Sequence, residues 1–331
     1  MSITVVKPGL LTTIQDEGRK GYEKFGIVVS GAMDIFSLNL ANILVGNDIN
    51  EACIEATVLG PELKISENTL IAITGGDLLP TINGVSVENN KPIFIKSESI
   101  LSFKGLAKGC RAYIAFAGGF LIPKVLESKS TYIRGKIGGI NGRVLIKGDI
   151  IKIDKKTNLS EKIINSLLKY KEKSGFIEAM WFVKNPFNYI TKNQVIRVFE
   201  DMQYNLADEK SLNNFFNSSY TVTSKSDRMG YRLEGSKIKF KEKIEMISGE
   251  VSLGTIQVPP DGNPIILLAD RQTAGGYPKF AHVIKADIPL LAQLPPNSTI
   301  KFKKVSIYEG ENLYYNNYKY LNEIKNRINL L

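Results

Sequence analysis

The chain has 331 residues, of which 43% are hydrophobic and 23% charged; 43 Lys and Arg against 33 Asp and Glu give a formal net charge of +10. This composition excludes a disordered or fibrous chain, and the length allows two modest cores, which we expect here. The basic residues are scattered and form no dense stripe, so nucleic acid is not expected as a partner. No apolar stretch reaches the roughly 20 residues that span a bilayer, and no charged leader precedes an apolar run, which predicts a cytoplasmic protein with no membrane contact.

In chain order, the first half reads as short strands separated by Gly, Asn and Asp turns. Asp34 caps a helix in which Ile35, Leu38, Ala41 and Val45 fall at helical spacing, with Gly46 as its stop. Strands are predicted at Leu70 to Thr74, Pro92 to Lys96, Ile100 to Lys104, Arg111 to Ala117 and Val144 to Ile153, the last broken by Gly148-Asp149, with a hairpin turn at Asn83-Gly84. Many short strands at this spacing suggest a barrel or sandwich. The Lys-rich stretch 154–186 changes character, and 160–173 carries Ile163, Ile164, Leu167 and Leu168 on one helical face. Strands return at Val195 to Phe199, Tyr220 to Ser224, Ile265 to Ala269 and Thr299 to Val305, and the Tyr-rich tail becomes helical towards its end, where it is expected to pack on its own domain. The predicted division is a first β lobe at 1–155, a helical linker at 156–192, a second β lobe at 193–308 and a helical tail at 309–331.

Cys53 and Cys110 are far apart among apolar neighbours and read as buried thiols, not as a disulfide or zinc pair. The single histidine, His282, has no ligand set around it in sequence, so no metal is expected and a structural role is. There is no Walker loop, dinucleotide fingerprint, His-Glu-x-x-His helix or Gly-x-Ser-x-Gly elbow, which disfavours a self-contained ATPase or metallohydrolase.

Only nine of the 43 basic residues are arginines. A chain that uses Lys wherever any cation will do keeps Arg where a planar fork is needed. Arg19, Arg111, Arg143, Arg228, Arg232 and Arg271 lie in segments that read as Gly-rich or polar turns. The richest run is Gly254 to Gly262, followed through an apolar strand by Asp270-Arg271-Gln272-Thr273-Ala274-Gly275-Gly276-Tyr277-Pro278. Adjacent glycines let backbone N–H groups approach an anion, and Arg271 can clamp a carboxylate or phosphate while Gln257 or Gln272 orients an amide. The same residues can equally knit two loops together. Ser226 to Arg232 packs two guanidiniums, a carboxylate and a hydroxyl into one turn, where an Asp227 to Arg232 pair competes with a ligand role for Arg228. Ser30-Gly31-Ala32-Met33-Asp34 precedes the first helix, so Ser30 and Asp34 face either an anion or the cap.

Taken together, Gly9 to Asp16, Ser30 to Asp34, Gly109 to Tyr113, Gly138 to Arg143, Ser226 to Leu233, Gly254 to Pro259 and Asp270 to Pro278 resemble one family in fixed order. It is the family of allophanate hydrolase subunit 2, the kinase-inhibitor antagonist KipA, the biotin-dependent carboxyltransferase domain and the C subunit of 5-oxoprolinase. The resemblance implies a mainly β fold with a few helices, arranged as two cyclophilin-like β-barrel lobes. It implies KipI-like (B) and LamB/YcsF-like (A) subunits as partners, and conversion of 5-oxo-L-proline to L-glutamate with ATP consumed by the complex.

On this reading the candidate catalytic residues are Arg271, Gln272, Gly275, Gly276 and Tyr277. The candidate substrate-binding residues are Arg228, Gln257, Asp270, Thr273, Arg19, Ser30 and Arg111. Arg228 and Arg271 would hold the substrate carboxylate or an activated phosphate, and the Gly275 and Gly276 amides the oxyanion. Two other activities remain open: carboxyl transfer from carboxybiotin, as in urea carboxylase, and non-catalytic neutralisation of a KipI-like inhibitor. Covalent biotin on this chain is not expected, because Glu178-Ala179-Met180 is followed by Trp181 where a carrier needs lysine. Ser248-Gly249-Glu250-Val251 departs from the Ser-Glu-Gly-Val order that the resemblance leads us to expect.

Overall fold

The computed structural model describes residues 2–242, 244 and 246–331. It is mainly β and divides into two compact units, one formed by 1–18, 34–186 and 319–331 and the other by 19–33 and 187–318.

The first unit holds two six-stranded antiparallel sheets. One runs in the order Ile150–Lys152, Ser2–Lys7, Glu62–Ile65, Ser99–Phe103, Pro80–Ile82, Val85–Ser86; the other runs Phe176–Glu178, Pro92–Ile95, Thr69–Asp77, Lys108–Phe116, Cys53–Thr57, Leu11–Gln15. Ile3, Ile54, Ile65, Ile73, Ile93, Leu101 and Ile114 from these strands form its core. The hairpin forms at Asn83-Gly84 because both residues adopt positive φ, 49° and 81°. Of the segment 144–153, Ile150–Lys152 forms a strand and Ile153 bridges Phe120, while Asp149 takes the Arg143 guanidinium and the Ile146 N–H into a turn at the expected break.

Helix α1, Ile35–Val45, is buried on all sides after its first residue, as an apolar sequence dictates, and packs on Thr69–Asp77 and Lys108–Phe116. Asp34 caps it, accepting from the Ser37 N–H at 2.9 Å and Ser37 Oγ at 2.7 Å, and Gly46 ends it in the left-handed conformation.

The second unit is built on a closed seven-stranded barrel. Its order is Gln194–Glu200, Lys279–Val283, Thr255–Gln257, Ile265–Leu267, Gly230–Glu234, Ser219–Val222, Thr299–Lys304. Every neighbouring pair is antiparallel except the closing one, Gln194–Glu200 with Thr299–Lys304. Alternate residues Ile196, Val198, Tyr220, Val222, Tyr231, Leu233, Ile300 and Phe302 fill the core.

The compact units cut the chain differently from the expected lobes. Residues 19–33 belong with the second unit, because Ser30 bonds Asp270, Gly31 accepts from Arg228 and Met33 joins the second core. The expected linker is largely part of the first unit: helix α2, Asn158–Leu167, packs on α1, and Phe176–Glu178 pairs with Pro92–Ile95. After α3, Glu209–Asn217, and the short α4, Ile288–Ala292, the tail forms α5, Ile307–Asn329, helical from its start. Gly310 of α5 packs on Ile284, and Lys285 lies over the Tyr314 ring; residues 319–331 pack in the first unit, where Tyr320 stacks on Phe36 and donates to the Lys184 carbonyl at 2.7 Å. No helix among the described residues is long and apolar enough to cross a membrane.

Candidate functional site

The candidate residues gather around one loop of the second unit. Strand Ile265–Leu267 is apolar and continues as buried chain to Asp270, and the loop then runs to Lys279–Val283. Thr255–Gln257 lies between those two strands in the barrel, so the loop passes over the end of the strand that carries Gln257. Gln257 is 2% exposed and donates from Nε2 to the Tyr277 carbonyl at 3.1 Å, which ties strand to loop.

Halfway, the loop pairs with a second segment. Gly249–Glu250 and Ala274–Gly275 form a two-residue antiparallel ribbon, extended by Val251 N–H donating to the Thr273 carbonyl at 3.1 Å. This register directs the Gly275 N–H to the Gly249 carbonyl. The Gly275 amide is therefore committed to the ladder and is not an oxyanion donor, in contrast to the sequence expectation. Gly275 is required for closeness instead: a Cβ there would stand 2.7 Å from Gln257 Nε2 and 3.2 Å from Gln272 Nε2. Gly276 lies beyond the ribbon on exposed chain, beside Ser248. Thr273 contributes its backbone to the ribbon, and the Tyr277 side chain is 44% exposed.

The arginines divide sharply. Arg228 and Asp270 are both buried and paired, Nε to Oδ2 at 2.9 Å and Nη2 to Oδ1 at 3.0 Å. Ser30 Oγ donates to the same carboxylate at 2.7 Å, and Arg228 Nη2 also donates to the Gly31 carbonyl. Arg228, Asp270 and Ser30 thus form an interior network that staples 30–31 to two barrel loops, and the expected substrate role for the three is not what the geometry supports. A buried guanidinium needs a carboxylate, and Asp270 supplies one. Asp227 instead accepts from the N–H groups of Met229 and Gly230, closing the turn.

Arg271 is different. Its Nε is buried with no hydrogen-bond partner among the described residues, and its Nη1 makes only a 3.4 Å contact with the Leu268 carbonyl. Burial pulls its pKa below the usual arginine range, opposed by the Glu23 carboxylate. Arg19 is buried within the 19–33 segment, its N–H on the Val29 carbonyl at 2.7 Å. Arg111 belongs to the first unit, where it lies within a strand and not in a turn, buried with Nη1 3.4 Å from Cys110 Sγ.

His282 is half-buried, stacked on Phe199 at 5.0 Å between centroids, with Nδ1 3.4 Å from Thr255 Oγ1. Burial pushes its pKa down, Arg271 adds a smaller push in the same direction, and Asp201 opposes both. Sequence reasoning passed over Lys279. Its Nζ lies 3.9 Å from the place a Cβ on Gly249 would occupy, and its N–H donates to Gln203 Oε1 at 2.9 Å. It directly follows Tyr277-Pro278, but what brings it to the ribbon is its pairing with Gln257, which a sequence does not display.

The loop of the barrel unit thus gathers a half-buried guanidinium whose Nε has no partner among the described residues, two carboxamides and two adjacent glycines. Residues 25–304 match the family of the carboxyltransferase domain, subdomain A and B, and the chain belongs to that family. Over 319 residues it is 36% identical to the C subunit of 5-oxoprolinase from Haemophilus influenzae, covering 95% of this chain and 94% of that one. The corresponding 5-oxoprolinase C subunit of Escherichia coli is 32% identical, with 98% of each chain covered. Among solved structures, the Kluyveromyces lactis urea amidolyase superposes with a TM-score of 0.86 at 30% identity, over 98% of this chain but 20% of that one.

Proposed function

We propose that this chain is the C subunit of a 5-oxoprolinase, working with KipI-like (B) and LamB/YcsF-like (A) subunits to open 5-oxo-L-proline to L-glutamate as the complex consumes ATP. What carries the proposal is likeness along almost the whole of both chains to two proteins named as that subunit. The urea amidolyase and urea carboxylase likenesses cover 20% and 29% of those chains.

The geometry supports the reading. Opening a lactam places negative charge on the carbonyl oxygen, or on a phosphoryl group transferred to it, before the C–N bond breaks. Arg271 supplies a half-buried positive charge whose Nε has no partner among the described residues, and the Gly276 N–H, past the end of the ribbon, is the candidate backbone donor in the same loop. Gln257 and Gln272 offer paired donors and acceptors that match the N–H and C=O of a cyclic amide. In this scheme Arg271 meets the developing charge, the two glutamines orient the ring amide and the Tyr277 side chain borders it.

Carboxyl transfer is the second reading, favoured by the structural match to urea amidolyase; a ureido group and a lactam present the same edge to two glutamines. One assay separates the two. The complex with its two other subunits is supplied with ATP and 5-oxo-L-proline, and separately with carboxybiotin and candidate acceptors. ATP-dependent glutamate formation that requires this chain, and falls at least about 100-fold in Arg271→Ala, supports the proposal. Full turnover without this chain, or in Arg271→Ala, removes it.

A further inference from the structure

A cavity of 480 Å³ is lined entirely by residues of the first unit. One wall is α5, whose Tyr320, Glu323, Ile324, Arg327 and Ile328 share a face because they recur at spacings of three and four. The other wall is the stretch 181–184, which lies outside any helix or strand and continues the edge strand Phe176–Glu178. The Val183 N–H donates to the Asn90 carbonyl at 2.8 Å, and the Tyr320 hydroxyl donates to the Lys184 carbonyl, which ties the two walls together.

The lining is apolar with charges at its margin. Trp181, Phe182 and Val183 face the buried Ile324 and Ile328, while the Lys184, Arg327 and Glu323 side chains are exposed and make no ion pair among the described residues. Two cations against one acid leave the groove net positive. The apolar surface also runs past the cavity: Phe182 is 64% exposed, Met180 beside Trp181 is 77% exposed, and Leu330 beside the lining residue Leu331 is 87% exposed. A small molecule filling the cavity would leave Met180 and Leu330 in water, whereas a protein segment laid along the groove covers them. A second copy of this chain is opposed by charge, since the chain carries +10 and the groove is itself cationic. Trp, Tyr and Arg, the residues that dominate binding between proteins, all line the groove.

We infer that this groove is the docking site for a segment of another subunit of the complex, apolar or aromatic where it enters the cavity and acidic where it passes Lys184 and Arg327. The inference rests on the proposed function for the existence of those subunits, and adds the surface on which one of them is held. It also gives a role to Trp181, which stands where a biotin carrier needs lysine: a large, rigid aromatic side chain at the mouth of a cavity anchors an interface with little loss of side-chain freedom.

Trp181 is the single tryptophan of the chain, so fluorotryptophan incorporated here gives one fluorine NMR resonance that reports the groove even beside subunits with tryptophans of their own. The labelled full-length chain is titrated with unlabelled B and A subunits, separately and together, and dissociation constants are measured by calorimetry. Wild type is compared with Phe182→Asp, Arg327→Glu, Arg327→Lys and, as a control on the second unit, Lys225→Glu. One subunit should move the Trp181 resonance in a saturable way. Phe182→Asp should weaken its binding about 10- to 100-fold and Arg327→Glu about 10-fold, while Arg327→Lys and Lys225→Glu bind nearly as wild type. Phe182, Arg327 and Lys225 are all exposed, so the variants should fold.

A complex that assembles with the Trp181 resonance unmoved, or that binds Phe182→Asp and Arg327→Glu as tightly as wild type, overturns the docking site. A resonance that moves with the concentration of this chain alone makes a second copy the occupant and overturns it too. The functional proposal fails separately: a complex formed through the groove that makes no glutamate from 5-oxo-L-proline keeps the docking site and removes the activity, and glutamate formation with Trp181 silent does the reverse. If neither subunit binds this chain, both fall.

Discussion

Asp270→Ala should destabilise the barrel unit far more than the average substitution. The Asp270 and Arg228 side chains are 8% and 6% exposed, and the carboxylate takes two guanidinium bonds and the Ser30 hydroxyl. Removing it leaves a buried guanidinium with the Gly31 carbonyl as the one remaining acceptor of that set, and breaking such a pair from one side costs about 3–5 kcal/mol. Asp270→Asn keeps an acceptor and loses the charge, so it should cost about 1.5–3 kcal/mol. Because the chain has two units, a single melting temperature would mix them. Hydrogen exchange against denaturant, read on peptides covering 265–267 and 279–283, isolates the barrel, and peptides covering 69–77 serve as the control. The double replacement Arg228→Met with Asp270→Leu should recover most of the loss, since an apolar pair of similar volume substitutes for a buried ion pair. A loss below about 1 kcal/mol in Asp270→Ala, or no recovery in the double variant, would refute the view that these residues hold the fold and are not waiting for a ligand.

Two further substitutions probe the loop and the histidine. Gly275→Ala should cost about 1–3 kcal/mol in the same exchange measurement, because its methyl meets the buried Gln257 amide at 2.7 Å; Gly276→Ala meets nothing among the described residues closer than 3.4 Å and should be near neutral. Equal effects would show that Gln257 yields freely. The pKa of His282 is depressed by burial, so its neutral ring favours the folded state above the unfolded value near pH 6.5, and that contribution is lost as pH falls through the lower folded value. The exchange-derived stability of peptides covering 279–283, followed from about pH 7.5 to 5, should therefore fall more steeply in wild type than in His282→Gln, and parallel curves would show that the ring titrates normally.

Local structure was legible wherever a short-range rule fixes it. Asp34 and Gly46 bracket α1 because a cap and a left-handed stop are properties of single residues, and Asn83-Gly84 turned the hairpin for the same reason. The domain division was not legible, because residues 19–33 join the second unit through bonds to partners about 200 to 240 positions away in the chain. Arg111 reads both as the start of the strand expected at Arg111 to Ala117 and as part of a Gly-rich or polar turn; the strand reading holds, within Lys108–Phe116, and the turn reading does not. The composition of 160–173 suggested a connecting helix; α2 is shorter and belongs to the packing of the first unit.

The site shows the same boundary at finer scale. Sequence singled out the loop after Asp270 but could not rank its charges, since whether an arginine is available depends on which carboxylate tertiary structure delivers to it. Arg228 and Arg271 look equivalent as residues in polar loops. One receives the Asp270 carboxylate, itself bonded by Ser30, and the Gly31 carbonyl, and the other keeps a buried Nε without a partner among the described residues. Asp270 immediately precedes Arg271 yet pairs with Arg228, because its N–H donates to the Arg228 carbonyl at 2.8 Å and so fixes the carboxylate beside that guanidinium. The same backbone contact that closes the barrel end thus leaves Arg271 free of its nearest carboxylate in sequence, and that separation is the condition the proposed role of Arg271 toward a developing negative charge requires.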